Sequence, residues 1–86
     1  MQRAWVTSSS YEMAVALLIE TRSTAALSQR DLADRLGKPR SFVSKVETRE
    51  RRLDFVEFVA YARALGLDPA DLMMMVAQRV GPDVVF

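Results

Sequence analysis

The chain contains no cysteine and no histidine. Without cysteine, neither a disulfide framework nor a thiolate zinc site can form. Without histidine, the usual general base and the commonest metal ligand are missing. Glycine is scarce, at three residues, and no Gly-rich phosphate loop is present. The acids read as helix caps and surface charges, with no paired carboxylate site and no metal-ligand cluster. An enzyme is therefore not expected, nor a cofactor, nor a small-molecule effector. The longest apolar run, residues 13–19, is too short to span a bilayer, so no membrane role is expected. Arg3, Trp5 and the serines that follow do not make a secretory signal, and a cytoplasmic location is expected.

What is present fits one small domain covering residues 1–86. A chain this short buries only about 60–65% of its unfolded surface, so its core is thin and a partner subunit would help it. The net charge is +1, which looks unpromising for an anionic partner, but the distribution says more. Residues 1–27 balance. Residues 38–52 carry six cations (Lys38, Arg40, Lys45, Arg49, Arg51, Arg52) against Glu47 and Glu50, a net of +4. Residues 53–86 hold two cations and five anions, a net of −3. A near-neutral chain thus carries one basic patch and an acidic remainder.

Apolar spacing is helical almost throughout, and no stretch alternates at a period of two. Five helices are expected, in an all-α bundle of four to five short helices. The first covers about residues 10–24, with Tyr11, Ala14, Leu17 and Leu18 on one face. The second opens at Ser28, an N-cap with Asp31 as its capping-box partner. Its stripe is Leu32, Ala33 and Leu36, and Gly37 stands where a helix end wants a left-handed residue. The third starts near Pro39 as a first helical residue. Phe42, Val43 and Val46 face inward and Arg40, Ser41, Ser44 and Lys45 outward. The fourth opens at Asp54 with Glu57 as capping partner, and Phe55, Phe58, Val59, Ala62 and Leu65 form its buried stripe before Gly66. The fifth begins at Asp68-Pro69, is apolar nearly all round from Leu72 to Val80, and stops at Gly81-Pro82. Trp5 and Val6 either cap the core or join a dimer surface.

Two short amphipathic stretches around Gly37, followed by arginines, form the layout of a helix-turn-helix, with a motif core at residues 28–47. Residues 22–72 resemble the lambda-repressor-like family, also called the Cro/repressor or xenobiotic-response-element type. The carriers are Leu27-Ser28-Gln29, Leu32-Ala33, Leu36-Gly37, Ser41, residues 43–47 (Val-Ser-Lys-Val-Glu), Arg51, residues 62–67 (Ala-Arg-Ala-Leu-Gly-Leu) and Asp71-Leu72. The resemblance implies a compact bundle whose third helix reads DNA. It also implies a pairing of Arg22 with Glu47 that fixes the angle of that helix. The chain departs from the family pattern at Thr21, at Ala25-Ala26 and Arg49 where glycine is frequent, at Pro39 where Ser or Thr caps, and at Leu53 where proline is frequent.

Within that frame, Arg40, Ser41, Ser44 and Lys45 are the expected base contacts. An arginine near the start of a recognition helix can bond guanine O6 and N7 together. The competing reading is a merely solvated face. Gln29, in the first turn of the second helix, is expected at a backbone phosphate, as the family position implies. Lys38, Arg49, Arg51 and Arg52 are expected along the DNA backbone, where they add affinity without sequence information. Arg51 also has a structural option in the family fold, and Glu50 can hold one arginine in a salt bridge. Residues 68–86 form the expected dimerisation helix and tail. Leu72, Met73, Met74, Met75, Val76, Val80 and Phe86 are its interface, with Val84 and Val85 joining. The alternative is packing of a last helix against the fourth.

The leading expectation is a sequence-specific transcriptional regulator of bacterial or phage origin. It would be a repressor rather than an activator, binding double-stranded DNA at a palindromic operator as a homodimer. The runner-up is an antitoxin or restriction–modification controller whose C-terminal helix holds a second, toxin-like protein. A structural protein without DNA contact is the third.

Overall fold

The computed structural model describes residues 8–86; the expectations placed on Arg3, Trp5 and Val6 lie outside that range. Five α-helices follow one another: α1 (Ser9–Thr24), α2 (Gln29–Leu36), α3 (Arg40–Glu47), α4 (Phe55–Ala64) and α5 (Pro69–Val80). There is no strand among the described residues. The molecule measures 33 × 32 × 21 Å.

Local chemistry sets most of the helix boundaries. Ser28 caps α2: its Oγ accepts from the Asp31 N–H at 3.0 Å, and the Asp31 carboxylate accepts from the Ser28 N–H at 2.9 Å. Asp54 and Glu57 repeat that reciprocal box at α4, at 2.7 and 3.0 Å. Each box satisfies two of the orphan donors at a helix start. Asp68 caps α5, accepting from the Ala70 N–H at 2.7 Å, and Pro69 follows in the first turn. Gly37 ends α2 at φ 66°, which lets the Lys38 N–H turn back onto the Ala33 carbonyl at 3.0 Å. That left-handed step is open to glycine at no steric cost, and it makes the sharp corner between α2 and α3.

Two non-glycine residues take the same step. Ala26 (φ 58°) closes the corner after α1, and Arg49 (φ 63°) closes the one after α3. These are positions where the family often has glycine. Pro39 is the N-cap of α3 (φ −67°, ψ 154°) and not its first helical residue, so the helix begins one residue later than expected, at Arg40. A proline has no side-chain acceptor, and α3 accordingly begins without a side-chain cap hydrogen bond.

The core lies where α2, α3 and α4 meet α1 and α5. Leu32, Val43, Val46, Tyr61, Ala62 and Leu72 are sealed within it, and Phe42, Leu53, Phe58 and Leu67 pack against it. Full burial of a leucine or valine side chain contributes about 1.5–3 kcal/mol. The Tyr61 hydroxyl has no hydrogen-bond partner among the described residues. Burial is the largest influence on it and raises its pKa, assisted by the nearby Glu47 charge.

Three expectations about faces change. Phe55 is not in the buried stripe but 83% exposed, because it stands in the first turn of α4, beyond the edge of the core. Val15 is buried on α1 beside Leu17 and Leu18, whereas Tyr11 and Ala14 are half-buried. Leu72 is 0% exposed, so it belongs to the core and cannot be a contact residue for a second protein. The rest of α5 splits cleanly: Val76 and Val80 are half-buried, while Met73, Met74 and Met75 face outward. The tail after Gly81 folds back on α1. There the Val85 N–H donates to Ser10 Oγ at 2.8 Å, and Ser8 Oγ donates to the Val85 carbonyl.

Candidate nucleic-acid interface

The basic face is built on a strut. Arg22, near the end of α1, points its guanidinium at Glu47, the last residue of α3. Nε reaches Oε2 at 2.6 Å and Nη2 reaches Oε1 at 3.0 Å. The third edge, Nη1, donates to the Leu27 carbonyl at 2.9 Å. The two side chains are only 15% and 7% exposed. Its hydrogen bonds to Glu47 raise the Arg22 pKa against the opposing effect of burial. A bidentate, partly buried pair holds one geometry far better than a surface pair does. It therefore fixes α3 against α1. As a source of net stability it is weaker evidence, since desolvation offsets much of the attraction.

The strut continues outward. Gln29, the first residue of α2, donates its amide Nε2 to Glu47 Oε1 at 2.8 Å. Its amide Oε1 accepts from Arg40 Nη1 at 2.9 Å. Arg40 therefore stands over the first turn of α2, and the two expected DNA contacts Gln29 and Arg40 are brought into one patch. Arg40, Ser41 and Lys45 are exposed and Ser44 is half-buried. Spaced at i, i+1, i+4 and i+5, they occupy one side of α3. The inward side is Val43 and Val46, both fully buried. The sequence thus places four polar groups on a helix whose other face is locked into the core.

The cations around this helix are held in different ways. Arg51 is gripped by Glu57 through two bonds, Nη1 to Oε1 at 2.9 Å and Nη2 to Oε2 at 2.6 Å. Its guanidinium also lies 4.5 Å from the centre of the Phe42 ring. Glu57 is lowered from the ordinary 4.5 to about 2, first by Arg51 and then by the Asp54 N–H. Arg51 thus ties the α3–α4 connection to α4, the structural option allowed to it. Arg49 Nη1 donates to Glu12 on α1 at 2.5 Å, a pair in which Glu12 stays largely exposed. Arg52 lies 5.4 Å over the Tyr11 ring, and Lys38 sits 6.0 Å from the Phe42 ring. Both remain exposed.

The tethering of Arg40 through Gln29 has no signal in the sequence, because the partners are 11 and 18 residues apart. The ring platform that Phe42 offers to Arg51 was hidden behind its reading as a core residue. Phe55, strongly exposed, falls in the apolar period of α4 and is not distinguished by it from the buried positions. Among the described residues no group of three His, Cys, Asp or Glu gathers to hold a metal ion. No helix of the described residues is long and apolar enough to cross a membrane.

Comparison with known proteins places this geometry. The family model of the helix-turn-helix group HTH_3 matches residues 20–72. The chain is similar to the solved XRE-family like protein from Pseudomonas syringae pv. tomato, at 45% identity and a TM-score of 0.77, over 85% of this chain and 88% of that one. It is similar to the restriction–modification controller protein C.AhdI from Aeromonas hydrophila at 34% identity and a TM-score of 0.65, over 72% and 94%. The clp gene regulator ClgR from Corynebacterium glutamicum shares the fold at 21% identity, with a TM-score of 0.71 over 83% and 76%. No match was found among curated proteins.

Proposed function

The chain belongs to the XRE-type helix-turn-helix family of DNA-binding transcriptional regulators, and we propose that it acts as a repressor, a homodimer on a palindromic operator with α3 in the major groove. The observation that carries this reading is the reading face of α3, aimed by the Arg22–Glu47 strut. Arg40 reads a guanine edge; Ser41, Ser44 and Lys45 contact neighbouring bases. Gln29, Lys38, Arg49 and Arg52 grip phosphates on either side, while Arg51, whose fork Glu57 occupies, holds the connection. The family is one of regulators rather than enzymes, and no catalytic residue is assigned. The protein, encoded by a bacterium or a phage, works in the cytoplasm.

The exposed methionines of α5, with Val84, Val85 and Phe86, supply the surface for the second copy. A dimer sets its two recognition helices about 34 Å apart, one turn of DNA. The identity with a restriction–modification controller favours a second possibility, that this chain is such a controller. A restriction-enzyme gene beside its own would decide for it.

Selection from random duplex DNA tests the proposal. Enriched sites should be pseudo-palindromes with half-sites about 10 base pairs apart. Arg52→Ala should weaken every sequence alike and reduce the slope of log affinity against log salt by about one. No enrichment, together with affinity indifferent to salt, would overturn the assignment.

A further inference from the structure

All the sulfur in this chain is thioether: five methionines and no cysteine. Three of them, Met73, Met74 and Met75, follow one another on α5. Three successive helical residues span about 200° of the helix circumference. Leu72, on the remaining side, is sealed in the core and fixes how α5 is turned. Met74 therefore points straight out, 61% exposed. Met73 and Met75 flank it, each over a cleft against α1. The first cleft is shared with Tyr11 and Val76, the second with Leu17 and Leu67.

An apolar contact surface does not by itself call for methionine. Leucine has an equal helix propensity and a similar volume, and it loses less rotamer freedom when it is ordered. What the thioether adds is a reaction with two-electron oxidants such as hydrogen peroxide. The sulfur lone pair attacks one peroxide oxygen, and an S–O bond forms as the O–O bond breaks. The proton on the transferred oxygen passes to the departing one, which leaves as water. Sulfur loses two electrons and the peroxide gains them. The sulfoxide is polar, and covering it with an apolar surface leaves its oxygen without a partner.

We propose that the methionine face of α5 is a peroxide-sensitive modification site, centred on Met74, whose oxidation drives the second copy off. The inference rests on α5 being the face that takes that copy. A dimer covers these side chains, so peroxide meets them in the dissociated monomer. Each oxidised monomer is withdrawn from the equilibrium, and the dimer drains away by mass action. Operator DNA holds two copies together and so slows the drain. Met13, 41% exposed on α1 and outside both clefts, is the internal comparison.

The test treats the full chain with hydrogen peroxide and follows the gain of one oxygen atom at each methionine by peptide mass spectrometry. Sedimentation gives the dimer dissociation constant before and after. The expected result is a rise of about tenfold or more once Met74 is oxidised. A variant with Met73→Leu, Met74→Leu and Met75→Leu should dimerise like wild type and keep its dissociation constant under peroxide, while Met13→Leu should respond as wild type does. Thermal midpoints confirm that both variants fold. In wild type, the selected operator duplex should slow oxidation at Met74 and spare Met13 that effect. A dissociation constant unchanged by oxidation of Met74 would overturn the proposal and leave the dimer standing. So would a triple-leucine variant that loses its partner under peroxide as wild type does. A wild type that is dimeric but whose Met74 the operator does not protect would place the interface elsewhere, and a wild type monomeric from the start would remove the dimer; the proposal falls with either.

Discussion

Replacing Ala26 with glycine should stabilise the protein and leave DNA binding untouched. Ala26 holds φ 58° at the corner between α1 and α2, where its N–H donates to the Ser23 carbonyl at 3.0 Å. The next N–H, of Leu27, returns to the Arg22 carbonyl at 3.1 Å, so the left-handed step is what closes the helix end. For a residue with a β-carbon this conformation costs about 1–2 kcal/mol. Glycine removes that cost but loses about 0.4–1 kcal/mol through the greater freedom of its unfolded chain. The methyl group is exposed, so little packing is forfeited. The net gain is about 0.5–1 kcal/mol, which for a domain of this size raises the melting midpoint by about 2–8 °C. Thermal unfolding followed by circular dichroism reads it, at one protein concentration because dimerisation would make the midpoint concentration-dependent. A midpoint unchanged or lowered would refute the argument that the folded chain bears this strain. Arg49→Gly is the informative companion. It relieves the same conformation at φ 63° but also removes the exposed pair with Glu12, worth about 0.2–1 kcal/mol. Its stability gain should shrink toward zero while DNA affinity falls.

Leu72→Ala should cost about 2–5 kcal/mol in denaturant unfolding, since it empties a sealed core site, whereas Met74→Ala, at a position 61% exposed, should cost little; equal costs would place Leu72 wrongly. Met74→Glu should shift a wild-type dimer toward monomer in sedimentation, and a wild type already monomeric would remove the dimer. The Glu57 carboxylate, depressed from 4.5 to about 2 chiefly by Arg51, contributes stability that is fully present above about pH 4.5 and drains away as pH falls toward 2. Stability measured over that window should therefore fall less steeply for Glu57→Gln than for wild type, and parallel curves would show the pair to be without consequence.

Much of the architecture is legible in the chain because it is locally encoded. The boxes Ser28/Asp31 and Asp54/Glu57 span three residues, within reach of one helical turn, and both form as read. Gly37 and Pro69 act through their own backbone conformation. The Arg22–Glu47 strut spans 25 residues, and only the resemblance to a family pointed to it. Its extension through Gln29 to Arg40 lay beyond either source, since amide orientation is set by whichever neighbours the fold supplies. Phe55 went astray for a related reason. Helical periodicity groups it with Phe58, but it cannot say how far the core extends along α4.

The sequence by itself determined where the helices begin and end to within about a residue, which residues share a side of α3, and where the positive charge lies. Those properties follow from capping, periodicity and composition, all readable within a turn or two of chain. The tertiary structure alone decided which of Leu72, Met73, Met74 and Met75 is core and which are surface. It also decided that Arg51 serves the fold through Glu57, and that Arg40 is held by Gln29. Each of these depends on a partner brought near by packing, and a side chain's role is settled by the groups that surround it after the helices have docked.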